Sequence, residues 1–185
     1  NSKLAITRPN VVLIILESFG RTVTDEVIDG KEVTPYLNSL KTEGIWFENV
    51  VANSFRTDRG TVAIMSGYPT HPVASIMKYP QKAQSLPSIA GSLKEQGYAT
   101  TFTYGGDANF TNTASYLYGT GFEQIIDQKS LHFDVPATEW GYADDVSNEV
   151  RLRDRLYPKL EQMDERSAKT SALLGIAECL RMGIT

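Results

Sequence analysis

The sequence predicts an α/β fold with a mostly parallel central sheet flanked by helices. Three observations carry that prediction. Residues 10–16 read NVVLIIL, a continuous, β-branched apolar run of the kind that is buried on both faces in a parallel sheet. Strand-like and helix-like segments then alternate, the order that builds parallel strands through helical crossovers. Finally, the 185 residues are 41% apolar and 22% charged, enough for one sizeable globular domain and unlike a disordered chain.

The elements follow in order. Pro9 stands at the entrance of the 10–16 run, where a missing N–H does least harm. The run stops at Glu17, Ser18, Phe19 and Gly20. Thr34 and Pro35 read as N-cap and first residue of a helix that Gly44 terminates. Residues 45–52 (IWFENVVA) predict the next strand, and residues 59–65 a short helix stopped by Gly67 and Pro69. A helix is predicted over 85–96, with Ile89 and Leu93 on one face and Gly97 after it. The alternating, β-rich 98–104 (YATTFTY) predicts a strand, Gly105-Gly106-Asp107 a turn, 112–118 a helix and 124–126 a short strand.

Charge and cysteine content bound the function classes. The formal net charge of -4 argues against a nucleic-acid scaffold, which usually carries a basic face. The single cysteine, Cys179, excludes an internal disulfide or a multi-cysteine metal site and reads as an apolar helix residue. No run approaches the roughly 18 apolar residues that cross a bilayer. The abrupt start at Asn1 suits an excised segment with a membrane anchor upstream.

Ligands gather outside the carboxyl ends of parallel strands. Glu17 stands there on the first strand, and a metal ligand, a cap residue and a solvated charge all fit that position. The segment ANSFRTDRG (52–60) follows the second strand on the same edge. Thr57 falls just before the predicted helix, where the dipole and free N–H groups favour an alkoxide and bind anionic oxygens. Arg56 and Arg59 add positive charge on either side. The competing reading is that Thr57 or Asp58 caps the helix. Asp107 follows the third strand, with Asn109 and Asn112 placed to donate hydrogen bonds to a substrate, and the same residues also fit a plain turn with an Asn cap. His71, in a proline-rich loop, and His132, beside apolar neighbours, read as structural or exposed.

The stretches PNVVLIILESFG (9–20), VTPYLNSLKTEGIWFENVVANSFRTDRGTVAIMSGYP (33–69), SLPSIAGSLKEQGYATTFTYGGDANFTN (85–112) and WGYADD (140–145) are specific in their order and spacing. Together they resemble the extracytoplasmic domain of the lipoteichoic-acid-synthase-like sulfatase family, within the alkaline phosphatase superfamily. The resemblance implies a divalent cation (manganese, zinc, magnesium or calcium) held by Glu17 and Thr57, with Thr57 as nucleophile. It implies a metal-dependent hydrolase or transferase acting on phosphate or sulfate esters, lipid- or glycan-linked ones among them, with no nucleic-acid partner. The location it implies is the extracytoplasmic face of a bacterial membrane, or the periplasm. Threonine, where the sulfatases proper use a modified cysteine or serine, points toward phosphoester chemistry.

Two departures accompany the resemblance. Lipoteichoic acid synthases hold the substrate phosphate with a histidine, a tryptophan and an arginine in the segment matching YGGDANFTNT, where this chain has Tyr104, Thr111 and Thr113. The family also completes its metal site with a downstream Asp-His pair, and this chain has no histidine after His132. The domain reading is therefore 1–145 for the N-terminal part of the catalytic domain, and 146–185 for a charged, helical tail without a recognisable family pattern. The fold is expected to be incomplete at its C-terminal side. The alternative function is a truncated or degenerate relative that binds an anion or metal without turnover.

Overall fold

The computed structural model describes residues 9–16, 19–130, 136 and 141. Glu17, His132, Cys179 and the 146–185 tail lie outside the described residues. The chain divides into two compact units, one carrying the described residues up to Thr57 and the other those from Asp58 onward.

The first unit is made of short elements. Helix α1 (Arg21–Thr24) is followed by a two-stranded antiparallel hairpin, β1 (Val27–Ile28) and β2 (Lys31–Glu32). Its turn residues Asp29 (φ 50°) and Gly30 (φ 74°) are both left-handed, as a two-residue turn that matches strand twist requires. That Asp-Gly pair was a legible hairpin signal, and the sequence reading passed over it. Helix α2 (Pro35–Glu43) begins and ends where Pro35 and Gly44 predict, although the Thr34 side chain makes no capping bond. Gly44 closes the helix by donating its N–H to the Leu40 carbonyl, 3.0 Å away. Asp25 ties the unit together, accepting from Lys41 Nζ at 3.1 Å and from Arg21 Nε at 3.4 Å. The Lys41 bond, helped by Arg21, holds the Asp25 carboxyl below the usual carboxylate value.

Two predicted strands do not form. Residues 10–15 run without a ladder, and Leu16 makes a single bridge; residues 45–52 contain no strand at all. The physical reason is that an apolar run becomes a strand only where a second backbone takes up its N–H and C=O groups. Burial agrees: Ile45 is 77% exposed, Phe47 71% and Val51 77%.

The second unit holds a core and the parallel pair. Helix α3 (Thr57–Ser66) opens at the junction and buries Gly60, Thr61, Val62 and Met65. A 3-10 turn (Ile76–Lys78), capped by Ser75 through the Met77 N–H, leads into α4 (Pro80–Ala83). Helix α5 (Ile89–Glu95) starts four residues later than predicted. Pro87 disfavours helix before it, and Ser88 caps the helix by accepting from the Gly91 N–H at 2.8 Å. Strand β3 (Thr101–Thr103) pairs in parallel with β4 (Gln124–Ile126), in the register Thr101 to Gln124 and Thr103 to Ile126. Between them lies α6 (Thr113–Gly119), the helical crossover that a parallel pair needs. Met77, Ala83, Ala90, Tyr116 and Leu117 are buried to 3% exposure or less and form this unit's core.

Among the described residues no helix is long and apolar enough to cross a membrane.

Candidate functional site

Thr57 is the first residue of α3, so the helix opens two residues earlier than the sequence predicts. Thr57 is half-buried. It stands in the first turn, at the positive end of the helix dipole. Asp58, also in that turn, is favourable to the helix and opposes an incoming anion. Before the helix, Ser54 Oγ accepts from the Arg56 N–H at 3.2 Å, which turns the chain into α3. The Arg56 side chain is exposed.

Arg59 is engaged elsewhere. Its two terminal nitrogens donate to the carbonyls of Pro72 (3.0 Å) and Val73 (3.1 Å). The far end of α3 is fixed by Ser66, whose Oγ lies 2.6 Å from the Tyr116 hydroxyl. Tyr116 is 1% exposed, and burial raises its pKa above the ordinary phenol value. His71 serves the loop, its Nδ1 accepting from the Val73 N–H at 3.2 Å.

Asp107 and Asn109 lie in the loop that leaves β3. One Asp107 oxygen accepts from the Asn109 backbone N–H at 2.9 Å and from its side-chain amide at 3.0 Å, while the other meets Lys129 Nζ at 2.8 Å. Lys129 first, then the Asn109 N–H, hold the Asp107 carboxyl below its ordinary value, and Asp107 raises Lys129 in turn. Asn112 is left-handed (φ 61°) and donates its amide to the Met77 carbonyl at 3.3 Å. Thr111 beside it has φ 56°. This conformation is costly for a β-branched residue. The bonds around Asp107 are those of an Asx turn, while Asn112 stands at the N-cap of α6 without a side-chain capping bond.

The sequence reading missed Asp127. It directly follows β4, is 8% exposed, and accepts from the N–H groups of Ala108, Lys129 and Ser130 at 3.2, 3.0 and 3.2 Å. It thereby stitches the loop after β4 to the loop after β3. Its signal was available, because an Asp at the carboxyl end of a strand is the position that singled out Asp107. Gly141 (φ 111°) belongs to the same loop cluster: a Cβ there would fall 2.2 Å from the Gly105 carbonyl oxygen. Gly141 thus packs directly on the backbone of Gly105 and Gly106.

Of the two expected metal ligands only Thr57 lies among the described residues. No group of three His, Cys, Asp or Glu side chains that could hold a metal ion occurs among the described residues. Hydroxyl and carboxylate oxygens, the donor set of Thr57 and Glu17, suit a hard divalent cation.

The comparisons with known proteins agree in one direction. Residues 9–174 match the family model described as Sulfatase. The chain is 30% identical over 129 residues to lipoteichoic acid synthase 2 of Bacillus subtilis (strain 168), covering 68% of this chain and 20% of that protein. It is 33% identical over 150 residues to phosphoglycerol transferase I of Xanthomonas euvesicatoria pv. vesicatoria (strain 85-10), covering 75% and 21%. The chain therefore spans about a fifth of the length of these curated relatives. Among solved structures, a protein in the alkaline phosphatase superfamily from Vibrio parahaemolyticus matches with a TM-score of 0.69 and 33% identity, over 86% of this chain and 38% of that one. A lipoteichoic acid synthase from Listeria monocytogenes shares the fold with a TM-score of 0.71 at 20% identity, over the same shares. With the parallel β3–β4 pair, these likenesses establish an α/β fold of alkaline phosphatase type. This chain belongs to the sulfatase family, whose members here are lipoteichoic acid synthases and phosphoglycerol transferases.

Proposed function

We propose that this chain is the N-terminal part of the catalytic domain of a metal-dependent enzyme that hydrolyses or transfers phosphate or sulfate esters, with Thr57 as its nucleophile. The observation that carries the reading is the position of Thr57, in the family-matched segment, as the residue that opens α3. A hydroxyl there gains from the helix dipole, whose positive end favours an alkoxide and an anionic ester.

Glu17 and Thr57 would hold the cation, whose chemistry when bound is to favour the deprotonated hydroxyl and offset charge on the ester. Thr57 Oγ1 then attacks phosphorus or sulfur, the alcohol departs with its bridging oxygen and takes a proton, and a threonine ester remains. Water or an acceptor alcohol displaces that ester and restores the hydroxyl. Arg56 supplies positive charge beside the nucleophile. Asn109 and Asn112 donate to a substrate only by leaving their present acceptors, Asp107 and the Met77 carbonyl, while Asp107, paired with Lys129, holds the loop that carries Asn109. The cation is manganese, zinc, magnesium or calcium, the ester is lipid- or glycan-linked, and the work is done outside the bacterial cytoplasmic membrane or in the periplasm.

The test is an assay of the parent protein on a chromogenic phosphodiester and a sulfate ester, with each of the four cations in excess. Cation-dependent turnover of the phosphodiester that Thr57→Ala removes supports the reading. Cation binding by calorimetry without turnover of either ester favours the alternative, a relative that binds without catalysis.

A further inference from the structure

We infer that Arg59 is a positioning residue that fixes the first turn of α3, and with it Thr57, by clamping the 69–73 loop, instead of binding the substrate anion. The inference rests on Thr57 being the nucleophile. Arg59 and Thr57 share the opening turn of α3. The Arg59 fork reaches two successive carbonyls, of Pro72 and Val73, at 3.0 and 3.1 Å. A planar guanidinium can bridge such a pair with two fixed donors, whereas the ammonium of lysine is a single point charge on a flexible stem.

The loop end of the clamp is itself braced. The Val73 N–H donates to His71 Nδ1, and Ser75, 3% exposed, caps the following turn and directs its hydroxyl to the Asp58 carbonyl at 3.5 Å. At the other end of α3 the Ser66–Tyr116 bond holds the helix to α6. The helix is thus tied at both ends, and at its opening turn the Arg59 fork is joined by the Ser75 hydroxyl on the Asp58 carbonyl. Small displacements of an attacking group cost rate steeply, about a hundredfold for roughly 1 Å.

The test compares Arg59→Lys and Arg59→Ala in the parent protein, with Ser75→Ala as a milder loosening of the same seam. Steady-state kinetics and amide hydrogen exchange over residues 57–61 and 69–76 are measured on each. A clamp predicts that both Arg59 variants lower kcat by about ten- to a hundredfold with KM within about twofold, because lysine cannot reproduce the fork. It predicts faster exchange in both segments, with Ser75→Ala intermediate. A raised KM with kcat retained, rescue by lysine, or unchanged exchange in 69–76 would overturn it. The exchange arm reads the clamp even where no ester is turned over. Failure of the nucleophile assignment shows separately, as turnover retained by Thr57→Ala.

Discussion

Two apolar stretches that read as strands, 10–16 and 45–52, form no strand, while the modest segments TFT and QII form the parallel pair β3–β4. Among the described residues, the buried aliphatic, aromatic and methionine side chains lie from Val62 to Leu117, in the second unit. The described part of the first unit buries Thr24 and Pro9 and leaves Ile45, Phe47, Val51 and Phe55 exposed. The difference teaches that a hydrophobic run states what a segment would bury, not whether it has a partner to bury it against. Strands β3 and β4 have each other, α6 as crossover, and the Asp127 stitch at their carboxyl ends. Residues 45–52 have no ladder.

The contrast is sharpest in a pair of truncations read by urea denaturation. Leu117 is fully buried, so Leu117→Ala should lower stability by about 3–5 kcal/mol through lost burial and the cavity left behind. Phe47→Ala, at a position 71% exposed, should change it by less than about 0.5 kcal/mol. Equal costs would show that 45–52 is packed after all.

Gly121→Ala probes how tightly the second unit is knit. Gly121 has φ 110°, and a Cβ there would fall 2.7 Å from the backbone of Gly91 in α5. The Ser88 hydroxyl bonds the Thr120 carbonyl in the same contact. Backbone strain and overpacking together should cost about 3 kcal/mol, measured in the same denaturation experiment. A neutral substitution would mean that α5 can move away from the Thr120–Gly121 turn.

Asp127→Ala should cost somewhat less, about 1–3 kcal/mol, because it strips the acceptor from three backbone N–H groups. The loss should appear as faster hydrogen exchange at Ala108, Lys129 and Ser130, with Thr101 to Thr103 changed less.

The smallest effect is the response of the Asp107–Lys129 pair to pH. The folded-state pKa of Asp107 is lowered, so its contribution is present above the unfolded value of about 4 and is lost as pH falls through the folded value. That of Lys129 is raised, so its contribution is present below its ordinary value and is lost as pH rises through the folded one. The pair should therefore hold across neutral pH and open in acid. Lys129 is exposed and Asp107 partly so, and solvent screens the pair, so the effect on global stability is slight and is best read from the Asn109 amide chemical shift. An Asn109 amide indifferent to acid would remove the pair from the loop.

Where local chemistry decided structure, the sequence was readable. Pro35 and Gly44 bounded α2, and residues 124–126 were read with the bounds that β4 has. Strand β3 is shorter than predicted because the ladder reaches only as far as β4 does. The start of α5 was misplaced because Pro87 disfavours helix before it and Ser88 makes the cap, and the start of α3 because Thr57 and Asp58 were read as lying before the helix. At the candidate site the sequence singled out Thr57, Asp107, Asn109 and Asn112 from their places after strand-like segments. It could not show that Arg59 turns toward two loop carbonyls, or that Lys129 comes back to Asp107, because both depend on how distant segments fold together.

The central claim is that Thr57 attacks the ester and carries it covalently. The most direct measurement is acid quenching of the parent protein during turnover of a phosphodiester, with mass spectrometry of its peptides. The account predicts an added phosphoryl-type mass on the peptide that contains Thr57, lost in Thr57→Ala together with several orders of magnitude of turnover. Near-normal turnover by Thr57→Ala, or an adduct mapped to another residue, would contradict it.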